Sequence, residues 1–446
     1  MNYKTYNEYK ITNNLFFNKI PINWSIFKLK HMIATLESGK RKDFEDTKFA
    51  FSIGGEHINW NGTLNLTNER YITEEFYNSL SKGKINEKDV LLVKDGATIG
   101  KTAFINKLNQ KMAVNEHVFI LRNNERLIPK LLYYLITSHL GFTQIKLTET
   151  GSAQGGISQD IGDKVDFVIP HDLIEQQQIA NYLDKKTAKI YASIAKNEEL
   201  IQLLEEKRVA LINQVVTKGL NPDVPMKDSG VEWIGEIPEH WKTNKIKNMS
   251  YVKGRIGWHG LTSEEYSDEG AYLVTGTDFK EGIVDWEHCN HISYERYKQD
   301  PNIHLKTGDL LITKDGTIGK LALIKDIPDK ATLNSGIFLV RPLKDNYTND
   351  YLYWILSSDI FVRFFDYIKT GATIAHLYQE TFERFFFPFP HIDEQNLIVQ
   401  YLNDNVSKIN LTIHKVEENI ALLEEYKTSL IHHVVTGKID VRSEEI

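Results

Sequence analysis

The feature that most constrains the fold of this chain is a long tandem duplication. Five phrases recur in the same order, each 217 to 220 residues after its first occurrence: IPINW (20–24) as IPEHW (237–241), LLVKDGATIGK (91–101) as LLITKDGTIGK (310–320), TGSAQGGISQD (150–160) as TGATIAHLYQE (370–380), EQQQIANYLDKKTAKI (175–190) as EQNLIVQYLNDNVSKI (394–409), and LLEEKRVALINQVVTKG (203–219) as LLEEYKTSLIHHVVTGK (422–438). This repeat is far longer than the ~20–50-residue units of a solenoid. The sequence therefore predicts two copies of one large arrangement.

The first part of each copy, at 20–170 and 237–390, mixes apolar strand-like runs with turns. HVFILR and VDFVIP are such runs in the first copy, and GIFLVRP and FFFPFP are their counterparts in the second. Shorter helical patterns lie at 129–140 and 349–365. Strands and helices interspersed in this way predict an α+β domain.

The second part of each copy is predicted to be one long helix. The two segments are 172–218 and 391–437. Asp172 followed by Glu175 resembles a capping pair at a helix start. A glycine, Gly219 or Gly437, stands where a C′ residue would end each helix.

The two predicted helices carry matching heptad seams. Alternating steps of four and three residues select Leu183, Thr187, Ile190, Ile194, Asn197, Ile201, Leu204, Arg208, Leu211 and Val215, and then Leu402, Val406, Ile409, Ile413, Val416, Ile420, Leu423, Lys427, Leu430 and Val434. Most are aliphatic, as in a coiled-coil seam. One such helix alone would indicate packing on its own domain, whereas two register-matched helices favour each other. If they run antiparallel, they form a rigid spacer with the two domains in a pseudo-twofold arrangement.

The phrase VKDGATIGKT, at 93–102, resembles a phosphate-binding P-loop but has the wrong spacing. A P-loop needs four residues between its first glycine and its Gly-Lys pair, and Gly96 and Gly100 enclose only three. The second copy is shorter and has Leu321 where a hydroxyl would bind Mg²⁺. In both copies the loop joins two apolar runs, which predicts a β-hairpin. A lysine at such a tip can contact a DNA phosphate.

Composition is typical of a cytoplasmic protein. No apolar run approaches the ~18–20 residues of a membrane span, and MNYKTYNEYKITNN has no signal core. Cys289 is the single cysteine, so no internal disulfide is possible. With His288 and His291 it lacks a second ligand pair at a suitable spacing, and no metal site is expected. The formal net charge of −7 leaves DNA binding open, because net charge can hide local basic patches.

The junction VVTKGLNPDVPMKDSGVEWIGEIPEHWK, at 215–242, closely resembles the inter-repeat junction of specificity subunits of type I restriction–modification enzymes. Other phrases resemble the same family, namely KDGTIGK, TGATI and the run leading to EQ. The resemblance extends from Lys19 to Val441. It implies two α+β target recognition domains, each reading one half of a split, asymmetric DNA sequence. It also implies that the two long helices form an antiparallel coiled coil, which fixes the spacing between the halves.

The resemblance further implies a subunit that recognises double-stranded DNA but performs no chemistry. Its expected partners are two modification subunits, which methylate adenine, and two motor-nuclease subunits; no membrane is involved. S-adenosylmethionine, ATP and Mg²⁺ are implied for these partners, and no cofactor for this chain. An enzyme, such as a fused methyltransferase or nuclease, and a coiled-coil scaffold without a DNA role are the alternatives. The absence of Asn/Asp-Pro-Pro-aromatic, Gly-x-Gly-x-x-Gly and true P-loop motifs argues against the enzyme.

The repeat and the resemblance together predict the domain boundaries. They are an N-terminal tail (1–19), a first recognition domain (20–171), a first spacer helix (172–220), a linker (221–236), a second recognition domain (237–390) and a second spacer helix (391–440). Stretches 38–62 and 254–279 share little, so the two domains should read different half-sites.

Candidate DNA contacts are cations, amides and hydroxyls in the loops of each domain, because such groups contact phosphates and base edges. They are Arg41, Lys42, Lys94, Lys101, Gln154 and Ser158 in the first domain, and Arg255, Trp258, His259, Lys314, Lys320 and His376 in the second. The alternative for each is a solvated surface residue. Candidate contacts to partner subunits are Glu175, Gln176, Tyr182, Glu394, Gln395 and Tyr401, at the heads of the helices. A glutamate in a first turn also interacts favourably with the helix dipole.

Overall fold

The computed structural model describes residues 3–40, 48–150, 155–255, 261, 263–368 and 376–444. It divides into two compact units. Unit 1 comprises Met1–Asn197 and Glu417–Ile446, and unit 2 comprises Glu198–Val416. Each unit therefore contains one α+β domain, the half of the long helix that adjoins this domain, and half of the other long helix.

Unit 1 contains eleven strands and four short α-helices among its described residues. The strands are β1 (Tyr9–Ile11), β2 (Lys19–Pro21), β3 (Trp24–Lys28), β4 (Ile33–Ser38), β5 (Ala50–Ile53), β6 (Tyr71–Ile72), β7 (Val90–Val93), β8 (Thr102–Phe104), β9 (Met112–Val114), β10 (Val118–Asn123) and β11 (Asp166–Pro170). The helices are α1 (Glu74–Ser79), α2 (Pro129–Thr137), α3 (His139–Leu147) and α4 (Ile161–Lys164), followed by the long α5 (Leu173–Lys218).

The domain of unit 2 repeats most of these elements. Its strands are β12 (Met226–Asp228), β13 (Glu236–Pro238), β14 (Lys242–Lys245), β15 (Ser250–Gly254), β16 (Tyr266–Ser267), β17 (Ala271–Val274), β18 (Phe279–Lys280), β19 (Ile283–Val284), β20 (Asn290–Ile292), β21 (Leu310–Thr313), β22 (Leu321–Leu323), β23 (Ala331–Leu333), β24 (Ile337–Pro342) and β25 (Phe386–Phe389). Its helices are α6 (Ile246–Met249), α7 (Tyr294–Lys298), α8 (Asn349–Leu356), α9 (Asp359–Ile368) and α10 (Gln379–Glu383), followed by the long α11 (Ile392–Val435).

The central sheet has the same topology in both units. In unit 1 its order is β4-β10-β7-β8, and in unit 2 β15-β24-β21-β22 continues into β19 and β18. Neighbouring strands of the four-stranded part are antiparallel, as in Val90↔Phe104 and Leu310↔Leu323. Strands β7 and β21 are buried along their whole length, which is why they read as continuous apolar runs.

The helical patterns predicted at 129–140 and 349–365 are wrong in one respect, because each is two helices. Ser138 has extended backbone (φ −61°, ψ 153°), and its hydroxyl accepts a hydrogen bond from Gly141 N, which begins α3. A Cβ at Gly141 would collide with Leu135 O, so the second helix begins in close contact with the first. In unit 2, Ser358 lies at the corresponding break between α8 and α9.

The predicted start of the first long helix is confirmed for Asp172, whereas the role predicted for Glu175 is wrong. The Asp172 carboxylate accepts a hydrogen bond from Ile174 N at 2.9 Å. The Glu175 carboxylate instead accepts hydrogen bonds from Tyr6 Oη at 2.8 Å and Trp24 Nε1 at 3.0 Å. It therefore secures the N-terminal region to the helix rather than forming a capping box.

Glycines end both long helices, as predicted. Gly219 has φ +72° and Gly437 has φ +71°, a left-handed conformation that other residues rarely adopt. The Gly219 N–H donates to Val215 O at 3.0 Å.

The predicted heptad seam is confirmed by the burial pattern along both long helices. All twenty seam residues are buried or partly buried. From 195 to 210, and from 410 to 425, every residue outside the seam is exposed. A single covered stripe with this period is the signature of a two-helix coiled coil.

The helices pair antiparallel within each unit. In unit 1, Ile190 near the start of α5 shares a core with Val434 near the end of α11. In unit 2, Val215 near the end of α5 shares a core with Leu402 near the start of α11. The order is reversed between the helices, as an antiparallel pair requires.

The paired helices have the same register in both units. Lys427 Nζ lies 4.6 Å from the centre of the Tyr191 ring. Arg208 Nη1 donates to Asn410 Oδ1 at 2.9 Å. Arg208 and Lys427 are equivalent seam positions, 219 residues apart, as are Tyr191 and Asn410. Each cation is thus satisfied by a facing side chain of the other helix.

Both ends of the described chain belong to unit 1, where they pack together. Asp440 N donates to Lys4 O at 2.8 Å, and Tyr9 Oη donates to Gly437 O at 3.1 Å. Val441 is 1% exposed and belongs to the same core as Trp24. None of the helices in the described ranges is both long and apolar enough to cross a membrane.

Candidate nucleic-acid interface

The hairpin predicted around KDGATIGK is confirmed in both copies. Strand β7 pairs with β8 and β21 with β22, both antiparallel. The connecting loop turns at Gly96 (φ +81°) and Gly100 (φ +95°), and Gly100 N donates to Val93 O at 3.0 Å. A Cβ at Gly100 would collide with the Phe142 ring, so this glycine lets the hairpin approach α3 closely.

In unit 1 the hairpin loop contacts the loop that precedes Ile157, so two regions selected from the sequence lie together. Ile157 N donates to Lys94 O at 2.8 Å, and Gly96 N donates to Gly155 O at 3.2 Å. The Asp95 carboxylate lies between two basic groups, 2.8 Å from Lys94 Nζ and 3.1 Å from His117 Nδ1. This loop surface carries both charge signs.

Unit 2 builds the corresponding surface from equivalent loops. Leu377 N donates to Lys314 O at 2.9 Å, and Lys314 N donates to Gly336 O at 2.8 Å. The Asp315 carboxylate pairs with Nδ1 of His376. The carboxylate has the same place in both units, but its histidine comes from a different loop.

The first lysine of each hairpin loop lies over a ring of the neighbouring strand. Lys94 Nζ is 5.4 Å from the centre of the Phe119 ring, and Lys314 Nζ is 5.2 Å from that of Phe338. Such cation–π contacts hold the ammonium group of each lysine beside the ring, next to the loop.

An arginine pairs with a buried carboxylate at the base of each hairpin. Arg122 Nε and Nη2 donate to the Asp89 carboxylate at 2.8 and 2.9 Å, and Asn86 N donates to it at 2.7 Å. Arg341 and Asp309 form the equivalent pair in unit 2. Burial raises the pKa of the Asp89 carboxyl, and the hydrogen bonds from Arg122 and Asn86 oppose that rise. The partly exposed guanidinium therefore supplies the counter-charge of a buried carboxylate.

Some of the predicted DNA contacts lie outside the described residues, and the others differ in exposure. Arg41, Lys42, Gln154, Trp258 and His259 lie outside the described residues. Ser158 is exposed beside Asp160, with which it forms a hydrogen bond, and Lys320 is exposed. Lys101 is partly buried, with Nζ 5.8 Å from the centre of the Trp60 ring.

Arg255 does not fit its predicted place on a DNA surface. It is 2% exposed, and its Nε donates to Leu333 O at 2.9 Å. Burial lowers the pKa of its guanidinium. The side chain lies inside the domain, where it has no surface to offer to DNA.

The helix heads are likewise mostly interior. Gln176 is fully buried, accepts from Ile128 N at 2.9 Å, and donates to Arg126 O and Pro170 O. Gln395 repeats this in unit 2 with Thr348, Asn346 and Pro390. These amides fasten each long helix to its domain, and burial leaves neither side chain free for a partner subunit.

The other predicted partner contacts are unequal in exposure. Glu175 and Tyr182 are 7% and 3% exposed. Glu394 is partly buried and accepts from Trp241 Nε1 at 3.1 Å, and its second oxygen lies 2.9 Å from His240 Nε2. Tyr401 is 41% exposed. Only this last side chain presents substantial surface to a partner.

Several residues beside the loops were missed by sequence reasoning. His117 is one, and its signal was available: it immediately precedes the strand run VFILR and so lies at a strand end. Trp60, 62% exposed, belongs to no recognisable motif. The exposed Tyr378 packs edge-on to His376 with ring centres 4.7 Å apart.

One group of possible metal ligands occurs among the described residues, and it shares only His288 with the histidines and cysteine considered from the sequence. It consists of Asp285, Glu287 and His288. Asp285 already pairs with Lys280 and, at 2.8 Å, with His288 Nδ1. Burial raises the pKa of the Cys289 thiol to about 12. Two of the three possible ligands, Asp285 and His288, are therefore already paired with each other.

Comparison with protein families identifies one match, which occurs twice. A model described as the type I restriction modification DNA specificity domain matches residues 21–203 and 238–423. These two regions together cover most of the chain and follow the two copies of the repeat.

Related proteins of assigned function agree with this match. The type I restriction enzyme MjaVIII specificity subunit of Methanocaldococcus jannaschii is 24% identical over 369 residues, covering 80% of this chain and 81% of the relative. The EcoBI specificity subunit of Escherichia coli is 22% identical over 273 residues, covering 60% and 57%.

Two solved structures share the fold. A chain from a study of complex assembly and conformational transition of the type I R-M system has a TM-score of 0.68 at 17% identity, covering 94% of this chain and 99% of that one. The HsdS subunit from Thermoanaerobacter tengcongensis has a TM-score of 0.54 at 15% identity, covering 94% and 98%.

Proposed function

This chain belongs to the type I restriction modification DNA specificity family, and from that premise we propose that it recognises a two-part, asymmetric DNA target. Each unit reads one half of the target, through the surface formed by its hairpin loop and the loop that contacts it. The chain directs adenine methylation and restriction at that target, and its partner subunits perform both reactions.

The observation that carries this proposal is a shared framework with different loop contents. Both units place a Lys-Asp-Gly hairpin loop against a second loop through the same main-chain bond, Ile157 N to Lys94 O and Leu377 N to Lys314 O. The side chains around that framework differ, as with His117 and His376. Base readout depends on side chains, whereas positioning depends on the framework. Two readers of different sequences are therefore the expected result.

The long helices suit the role of a spacer between the readers. Each has one covered stripe and otherwise exposed faces across its middle. A coiled coil of this kind holds length and register through a minimal contact surface. We place two modification subunits and two motor-nuclease subunits as its partners. S-adenosylmethionine, ATP and Mg²⁺ act in those subunits, and this chain has no cofactor of its own.

A methylation map tests the proposal. The chain is produced with its modification subunits in cells that lack other adenine methyltransferases, and modified adenines are located throughout the genome. We expect one motif, with two different half-sites separated by a constant number of unspecified base pairs. The purified chain alone should transfer no methyl group from S-adenosylmethionine to DNA. A motif with a single uninterrupted half, or methyl transfer by the chain alone, would contradict the proposal.

A further inference from the structure

A surface turn packs against the same position of the domain in both units. In unit 1 it spans 59–62, where Gly62 N donates to Asn59 O at 3.0 Å and Gly62 has φ +82°. In unit 2 the corresponding turn joins β18 to β19, and Gly282 has φ +80°. A Cβ on Gly62 would collide with Tyr133 Oη, and one on Gly282 with Tyr353 Oη. These tyrosines are equivalent residues of α2 and α8, so the two turns rest on their domains in the same way.

The tips of the two turns carry different side chains. Two residues before the glycine stands Trp60 in unit 1 and Lys280 in unit 2. The next residue is Asn61 in one and Glu281 in the other. Lys280 forms an ion pair with Asp285, whereas Trp60 presents an aromatic surface. The two turns thus pack in the same way but expose different side chains, as two domains that read different half-sites require.

Trp60 is exposed yet held in place. It is 62% exposed, although burial of an indole would be strongly favourable. Its ring packs edge-on to Phe142 with ring centres 6.2 Å apart. The Asn61 side chain fixes the turn by accepting from Thr63 N at 3.1 Å and Thr63 Oγ1 at 2.6 Å. A side chain already ordered before binding loses little conformational entropy when it contacts a ligand.

The turn adjoins the candidate DNA surface. Phe142 contacts Trp60 on one side, and on the other it is the ring against which Gly100 of the hairpin loop packs. Lys101, which ends that loop, has its Nζ 5.8 Å from the centre of the Trp60 ring. Trp60 and the lysine of the loop are therefore neighbours on one surface. An ammonium beside an exposed ring suits a duplex, which offers phosphates and base edges together.

We propose that Trp60 contacts DNA and determines specificity in the half-site read by unit 1, and that Lys280 has the corresponding position in unit 2. This inference rests on the proposed function, because it assumes that unit 1 reads a half-site. The indole packs against a base edge or a thymine methyl group, and Lys101 contacts a neighbouring phosphate.

A partner subunit is the competing occupant of this surface. Trp60 also borders a groove of about 470 Å³, whose lining includes Tyr191 of α5 and Lys427 of α11. A peptide segment from a modification subunit would be expected to use the groove rather than the tip. The exposed face of Trp60 and its lysine neighbour favour DNA, and the experiment separates the two.

The test uses the full chain assembled with its modification subunits. The wild-type motif is first read from methylated DNA, and affinity is then measured for a duplex with this motif and for each single-base variant. We expect Trp60→Ala to weaken cognate binding about tenfold or more, as loss of a specific base contact does. Discrimination should be lost at one or two positions of one half-site and kept throughout the other. Trp60→Phe should retain part of this discrimination. Trp60→Lys, which introduces the residue found at the corresponding position of unit 2, should not retain it.

Matched controls separate the outcomes. Leu343→Ala removes an apolar side chain of similar exposure, 56%, from unit 2 and should leave affinity and discrimination unchanged. Circular dichroism verifies that each variant is folded. If Trp60→Ala retains wild-type affinity and discrimination, the inference is wrong while the proposed function stands. If the variant loses modification subunits but keeps its base preferences, the surface belongs to a partner and the inference is again wrong. A wild-type complex without base preference would overturn both.

Discussion

Removing Arg122 tests how much its ion pair with the buried Asp89 carboxylate, at the start of β7, contributes to the stability of the protein. The Asp89 carboxylate is 2% exposed, and Arg122 supplies two of its three hydrogen bonds. In Arg122→Met the side chain keeps much of its volume, but a buried carboxylate loses its counter-charge. Breaking such a pair costs about 3–5 kcal/mol of unfolding free energy. We expect a loss of this size at pH 7, measured by urea unfolding followed by circular dichroism.

The loss should depend on pH with a definite sign. Burial raises the pKa of the Asp89 carboxyl even with Arg122 present, and without the guanidinium this pKa rises further. A raised folded-state pKa means that the protonated form is the one folding favours. The stability of the variant relative to wild type should therefore recover as pH falls from 7 towards 5, and decline again as pH rises.

The neutral variant Asp89→Asn provides the internal control. Its side-chain oxygen can still accept from Asn86 N, and it carries no charge. Added to Arg122→Met, it should restore part of the lost stability and abolish the difference between pH 5 and pH 7. Arg341→Met should reproduce the effect in unit 2, where Asp309 is 3% exposed. A loss below about 1 kcal/mol, the upper end of the range for exposed ion pairs, would refute the reasoning, as would a loss that is independent of pH.

Three further outcomes are expected. Replacing 237–390 with the equivalent domain of a relative should change one half of the methylated motif and leave the other half intact, as methylation mapping would reveal. Inserting seven residues after both Asn197 and Val416 preserves the heptads and adds about 10 Å at ~1.5 Å per residue, so the motif should keep both half-sites and gain about three base pairs of gap at ~3.4 Å each; an unchanged gap would mean that the helices do not set it. Burial, followed by Lys438 and nearby histidines, lowers the pKa of His432 to about 4, so unit 1 should lose stability as pH falls from about 6.5 towards 4. His432→Leu should flatten that part of a pH–stability curve, and a curve identical to wild type would contradict this assignment.

The features that could be predicted from the sequence are those that a local periodic pattern or the internal repeat indicates. Ile201 and Leu204 reveal the seam because a helix turns at a fixed rate, whatever lies elsewhere in the chain. The hairpins could be predicted because two apolar runs flank a short glycine-containing loop. The repeat then strengthened each prediction, since the same pattern had to suit both copies.

The features that could not be predicted depend on partners distant in sequence. Glu175 has the sequence position of a capping residue, but its carboxylate accepts hydrogen bonds from Tyr6 and Trp24, which are more than 150 residues away in the sequence. The neighbouring Gln176 looks like a surface amide in a first turn until the loop before α2 covers it. Arg255 is polar and lies near glycines, yet the fold buries it. Periodicity carries no information about such contacts, because they exist only once the elements have packed.

Unit 1 is assembled from two separate stretches of chain, whereas unit 2 is the single stretch Glu198–Val416. During translation, all of unit 2 is synthesised before Glu417 is added. The domain made first therefore waits for the chain made last, the reverse of the usual N-terminal-first order. Until then Ile190 lacks its partner Val434, and an apolar helix face stays open. A chain that ends at Val416 and has been released from the ribosome should therefore contain a protease-resistant unit 2 together with an unfinished unit 1 that attracts chaperones.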